Sequence, residues 1–181
     1  MKITAKLVRA GNHEYLIRSA EEEDASELSA LRLQLDGETE NFDRERGEAF
    51  LDEANFLQLI QSDMKAPNNL MLVAEMNGEL VGYARCEGST LKRLAHKVEF
   101  GVGVLQAYWG FGIGKNLLHS SLDWAKLNGL RKITLQVLET NKSAIHLYQK
   151  SGFDIEGTLQ KDKLLSNGKY YNTILMGAFI N

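Results

Sequence analysis

Apolar and polar positions along the chain fall into short blocks whose period changes several times. Ile3 to Arg9 and Glu14 to Arg18 read as strands, with Ala10-Gly11-Asn12 as the turn between them. From Ala25 the spacing becomes helical, with Ala25, Leu28, Leu31 and Leu35 on one stripe. The preceding Glu21-Glu22-Glu23-Asp24 puts acids where a helix dipole favours them. Gly37 to Gly47 is polar and reads as a loop. A second helix is expected over Ala49 to Ile60, with Phe50, Leu51, Ala54, Leu57 and Leu59 as its apolar positions. Pro67-Asn68-Asn69 breaks the chain, and Leu70 to Glu75 follows as a buried strand. Asn77-Gly78 is a strong hairpin signal, which makes Leu80 to Cys86 the return strand. Val98 to Val104 is the next strand, and the glycine-rich Tyr108 to Gly114 leads into a helix with Ile113, Leu117, Leu118, Leu122 and Ala125 on one face. Asn128-Gly129 closes that helix. Ile133, Leu135 and Val137 alternate as a strand, Asn141 to Lys150 forms a helix ended by Gly152, and Phe153 to Leu165 and Lys169 to Phe179 are strands around Ser166-Asn167-Gly168.

This order predicts an α/β protein with a mixed sheet and helices on both faces. The early hairpins make part of the sheet antiparallel, whereas the strand-helix-strand unit from Val98 to Val137 implies a parallel pair. A length of 181 residues suits one domain over 1–181. With 21 basic and 24 acidic residues the formal net charge is −3, which gives no electrostatic reason to expect nucleic acid or a membrane surface as partner. The single cysteine, Cys86, excludes an intrachain disulfide framework and reads as a buried strand residue. Met1 to Lys6 lacks the apolar run of a signal peptide, and no uncharged apolar stretch approaches the roughly 18 residues of a membrane span. A reduced, cytoplasmic setting is the expectation.

The most informative stretch is Val102 to Lys115. A strand ends, Gly110, Gly112 and Gly114 form a tight turn, and a helix begins with its amides free. Such a turn presents N–H groups and a positive dipole end to an anion. Glycines alone leave a plain turn and a phosphate site equally open. A Walker A loop would need Gly at Trp109 and Ser or Thr at Asn116, and the dinucleotide fingerprint would need Gly at Lys115. Trp109-Gly110-Phe111-Gly112-Ile113-Gly114 resembles the acyl-CoA diphosphate loop of the GNAT superfamily of N-acetyltransferases, written Gln/Arg-x-x-Gly-x-Gly/Ala, with Trp109 in the slot usually held by Gln or Arg. Asn141 to Phe153 resembles that family's later Asn-x-x-Ala-x-x-x-Tyr-x-x-x-Gly-Phe motif without departure. The likeness runs from about Tyr15 to the end of the chain.

The resemblance implies the GNAT fold, a mostly antiparallel mixed sheet of about seven strands, and transfer of an acetyl group from acetyl-CoA to a primary amine. It implies that the main chain of Val102 and Val104 pairs with the pantetheine amides and that an N–H near Val104 stabilises the oxyanion. Trp109, Gly110, Phe111, Gly112, Ile113, Gly114, Lys115 and Asn116 would form the diphosphate loop. Because Trp109 brings no charge, the backbone amides and Lys115 would carry more of the binding. Asn141 would contact the cosubstrate across the cleft. Tyr148 occupies the position of the family's general acid, and an unperturbed phenol pKa of about 10 suits that role. As an amphipathic helix residue it is also a core candidate. Glu99 is the candidate base, and apolar neighbours would raise its pKa. It reads equally as an exposed edge carboxylate. His96 is a second basic candidate and a surface candidate. His13, His119 and His146 lack metal-ligand spacing, so no metal site is expected.

The acceptor is a small-molecule amine or a peptide. The acidic segment within Glu21 to Met64 is either a surface that attracts a cationic amine or a solvated face. Tyr170 and Tyr171 either wall the acceptor pocket or divide into one packed and one exposed ring. The same fold used as an acyl-CoA sensor without turnover, and a nucleotide-phosphate protein using the Gly110 to Gly114 turn, are the alternative readings. Members of the family often pair as homodimers.

Overall fold

The computed structural model describes residues 2–180. The elements run β1 (Lys6–Ala10), β2 (His13–Ser19), α1 (Ala25–Glu38), α2 (Glu53–Lys65), β3 (Leu70–Met76), β4 (Glu79–Gly88), β5 (Lys97–Val104), α3 (Ile113–Leu127), β6 (Lys132–Leu138), α4 (Lys142–Lys150), β7 (Asp154–Leu164) and β8 (Tyr170–Phe179). All the strands lie in one eight-stranded sheet, ordered β1-β2-β3-β4-β5-β6-β8-β7. It has one strand more than the resemblance implies, because β1 and β2 both join as an N-terminal hairpin arm. Every pairing is antiparallel except β5 with β6. That exception follows from the α3 crossover, since parallel neighbours need a long connection.

Helices cover both faces. Leu28, Leu31 and Leu35 of α1 and Phe56 and Ile60 of α2 pack with Met71, Val73 and Leu80. On the opposite face Leu117, Leu118 and Trp124 of α3 and Tyr148 of α4 pack with Leu72, Ala74, Ala84, Val98, Phe100 and Ile133. β3 reads as a continuous apolar run because its alternate residues enter different cores. Cys86 is fully buried in β4, and burial pushes its thiol up to about 12.

Two boundaries in the early helices differ from the sequence reading. α1 continues through Gly37 to Glu38 instead of stopping before the glycine. α2 starts at Glu53, not Ala49, because the Asp52 carboxylate caps the Asn55 N–H at 2.8 Å. Ala49 has φ of 44°, outside any right-handed helix, and Phe50 is left exposed. The buried stripe of α2 is therefore Phe56 and Ile60.

The feature that positions the site is a divergence within the sheet. β5 and β6 pair only from Lys97 to Glu99 against Lys132 to Thr134. Beyond that point β5 keeps β4 on one side, while β6 keeps β8. A wedge-shaped gap opens along the second half of β5.

Candidate active site

Two bonds fix which way the main chain of β5 faces. The Leu105 N–H donates to the Val81 carbonyl on the β4 side, and the His96 carbonyl accepts from Lys132 on the β6 side. Main-chain groups alternate sides along a strand. The N–H and C=O groups of Val98, Phe100, Val102 and Val104 therefore all face β6, and those of Val102 and Val104 open into the gap. One is already used, because Trp109 donates its indole N–H to the Val104 carbonyl at 2.7 Å. The Val102 pair and the Val104 N–H remain available for a ligand strand.

At the end of that strand the glycine turn leads into α3. Gly110 and Gly112 have φ of 86° and 78°, which only glycine adopts without strain. The first backbone bond at the start of α3 runs from the Asn116 N–H to the Gly112 carbonyl at 3.0 Å. The amides of Ile113, Gly114 and Lys115 precede any available helical carbonyl and stand at the positive end of the dipole. These three residues, Gly110 and Gly112 line a cleft of ≈ 1330 Å³. The loop thus has the donors for a diphosphate, and Lys115 adds a cation at its exposed rim.

Two residues expected in that loop face elsewhere. The Phe111 ring stacks on His13 at 3.7 Å between centroids, and its carbonyl accepts from the Tyr15 hydroxyl at 3.3 Å. The Asn116 side chain donates to the Tyr15 hydroxyl at 2.8 Å and to the Gly112 carbonyl at 3.0 Å. Their side chains hold the loop against the arm instead of lining the cleft. The expected contact of Phe111 and Asn116 with the cosubstrate gains no support from their side chains, which are engaged with the arm and line no part of the cleft. Tyr15 and His13 escaped the sequence reading because their partners lie about a hundred residues away.

Tyr148 is buried on α4, tilted against Phe153 with 5.8 Å between ring centroids. It also lines the cleft, and its hydroxyl bonds to no described residue. Tyr148 is thus a core residue that also reaches the cleft wall. Burial pushes its phenol up to about 12, so it stays protonated at neutral pH. Asn141 caps α4 through its Oδ1, which accepts the Ala144 N–H at 3.3 Å, and its amide nitrogen remains for the cleft. Glu99 lies on the cleft floor, exposed, accepting from Gln136 at 3.2 Å and facing Glu87 across the strand pair. The apolar neighbours expected around Glu99 are absent, because β5 turns Val98 and Phe100 to the other face. His96 is exposed away from the cleft and serves the sheet through its carbonyl. Tyr170 is exposed, and Tyr171 is partly buried and bonded to Asn167, so neither walls the pocket.

The far end of the cleft lies under α1 and α2, lined by Arg32, Phe42, Arg44, Phe56, Tyr83 and Arg85. Many of the acids expected to draw in a cation are already engaged. Asp36 holds Arg44 at 2.9 and 3.1 Å, Asp63 holds Arg85 at 2.7 and 2.9 Å, and Asp24 holds Arg18 at 2.7 and 2.8 Å. Glu40 accepts from the Ser166 N–H, which keeps its carboxyl below the usual range. Much of the acidic segment ties loops together, and of its acids only Asp43, paired with Lys163, lines the cleft.

The sequence profile described as "Acetyltransferase (GNAT) family" matches residues 16–153. The chain is 33% identical over 112 residues to the L-amino acid N-acetyltransferase AaaT of Escherichia coli K12, covering 61% of this chain and 68% of that protein. It is 32% identical over 108 residues to the spermidine N(1)-acetyltransferase of the same strain, covering 59% of this chain and 56% of that protein. The solved structure of an acetyltransferase of the GNAT family from Streptococcus pneumoniae superposes with a TM-score of 0.88 at 30% identity, over 92% of this chain and 99% of that one. The profile begins in β2, ends just after α4 and so takes in both walls of the cleft, and the chain belongs to the GNAT acetyltransferase family.

Proposed function

We propose that this protein moves the acetyl group of acetyl-CoA, the cosubstrate of its family, directly onto a primary amine of a small molecule or peptide. The observation that carries the reading is the gap between β5 and β6, which opens beside three uncommitted helix amides and ends at a buried, protonated phenol. When bound, acetyl-CoA supplies the activated acyl group. The amides of Ile113, Gly114 and Lys115 and the Lys115 ammonium would hold its diphosphate. The Val102 main chain would hold the pantetheine arm, and the Val104 N–H would face the acyl oxygen as it gains charge. Asn141 would add a donor from the opposite wall.

Glu99 takes the amine's proton, directly or through a water, since it is solvent-accessible and lies on the strand that guides the thioester. Tyr148 gives its proton to the departing thiolate. Its burial keeps that proton in place until it is needed. The two groups stand on different elements, β5 and α4, and both line the same cleft.

Release of free thiol from acetyl-CoA in the presence of a mixed amine panel tests the reading. Thiol appears in step with an acetylated amine if it is right. Binding of acetyl-CoA with no amine-dependent thiol release would point to a sensor that does not turn over.

A further inference from the structure

The four cations lining the acceptor end of the cleft are not equivalent. Arg44 is clasped by both oxygens of Asp36, Arg85 by both oxygens of Asp63, and Lys163 by Asp43. Arg32 lines the same cleft from α1 and forms no ion pair among the described residues. Its one hydrogen bond runs from Nη1 to the Ala49 carbonyl at 2.8 Å, which leaves most of its donor fork unused. Tyr83 of β4 also lines this end, and its hydroxyl bonds to no described residue. Burial pushes the Tyr83 phenol up, Asp36 pushes it the same way, and Arg44, Arg32 and Arg85 pull it down, so three guanidiniums lie close enough to act on it. Burial and the nearby Arg44 work against the charge on Arg32. Arg32 feels the Asp36 carboxylate only from a distance, since Asp36 is paired with Arg44, and an incoming anion in direct contact relieves the cost of its partial desolvation.

The opposite polarity lies further along the same floor. Glu99 has only Gln136 as a partner. The pairs Glu87–Glu99, Arg85–Gly101 and Tyr83–Gly103 are alternate rungs, and so share one face, from the negative end to the Arg32 end. Between them, a Cβ placed on Gly101 would meet no atom within 4 Å, so the floor is open there. Phe42, Phe56 and Met71 supply apolar wall.

Resting on the acetyl-transfer reading above, we propose that the acceptor is an amine that also carries a carboxylate, an α-amino acid, with the carboxylate seated on Arg32 and the Tyr83 hydroxyl. Arginine's planar fork matches a carboxylate with two parallel bonds, which no neutral amine supplies. A polycation finds the wrong charge at Arg32.

The test compares L-leucine, leucinamide and spermidine as acceptors for the wild type and for Arg32→Ala and Arg32→Lys. The wild type prefers leucine to its amide. Arg32→Ala raises KM for leucine by roughly 10- to 100-fold, the effect of losing a charge-assisted pair, and leaves KM for leucinamide and acetyl-CoA near wild type. Arg32→Lys recovers part of the loss. Equal use of leucine and leucinamide, a preference for spermidine, or an equal shift for acid and amide in Arg32→Ala overturns the proposal, the last marking a structural role through Ala49. Calorimetric titration of leucine in the presence of CoA separates this proposal from the reading beneath it. If no amine is acetylated, the transfer reading fails, while leucine binding that Arg32→Ala abolishes still supports the carboxylate seat. Absence of leucine binding contradicts the seat.

Discussion

The two ends of the cleft are built from different materials. The end proposed for the cosubstrate is made of main chain: a half-strand open on its β6 edge, two left-handed glycines and three helix amides. The end proposed for the acceptor is made of side chains, among them Arg44 and Arg85, each fixed by a carboxylate from another element. Backbone groups cannot be mutated away, so the first end is specified by where glycine is allowed and where strands part. The second end depends on which charges are left unpaired, and a single substitution alters that.

Substitutions that separate the two ends differ in expected size. Tyr148→Phe removes the proposed proton donor and keeps the ring against Phe153. kcat falls by roughly 10²- to 10⁴-fold with acetyl-CoA affinity near wild type. Steady-state kinetics check it, and an unchanged kcat removes Tyr148 from the chemistry. Gly112→Ala forces a side chain into φ of 78°, at a cost of about 1–2 kcal/mol. That strain falls on the diphosphate loop, so KM for acetyl-CoA rises on the order of 10-fold with the amine KM unmoved. A shift in the amine KM instead would join the two ends that the structure keeps apart. Tyr15→Phe deletes the hydroxyl that ties Phe111 and Asn116 together. Loss of one neutral bond is worth about 1 kcal/mol, so KM for acetyl-CoA rises by roughly 5-fold; equilibrium binding of CoA measures it directly.

The pH profile sharpens the same division. A phenol raised to about 12 stays protonated throughout the usual assay range. As a proton donor it is active below that value and is lost only as pH rises through it. kcat at saturating substrates shows no alkaline fall between pH 8 and 10. A fall there would place a less buried acid in the role of Tyr148.

The same contrast explains what could be read from the sequence. The glycine turn and the Asn141 to Phe153 segment are local patterns, and the structure brings Gly110, Gly112, Ile113, Gly114, Lys115, Asn141 and Tyr148 to one cleft. The succession of strands and helices along the chain was equally legible, because Asn77-Gly78 and the alternating runs carry their own turn and period signals, whereas the placing of β8 between β6 and β7 was not read. Trp109 was visible, though its bond to the Val104 carbonyl was not, since nothing in the spacing shows where an indole N–H turns. The arm residues Tyr15 and His13, and the pairing of Asp36 with Arg44 and of Asp63 with Arg85, depend on the folded chain. An acidic composition between Glu21 and Met64 did not reveal that its key carboxylates face arginines. The start of α2 was misread because the apolar Phe50 and Leu51 outweighed the Asp52 cap.

The account stands on main-chain groups at the start of α3 and along the open half of β5 receiving the cosubstrate. A crystal structure with CoA tests this most directly. The expected result places diphosphate oxygens within hydrogen-bond distance of the Ile113, Gly114 and Lys115 amides and the pantetheine arm beside Val102. CoA bound elsewhere, with those amides facing solvent, would contradict it.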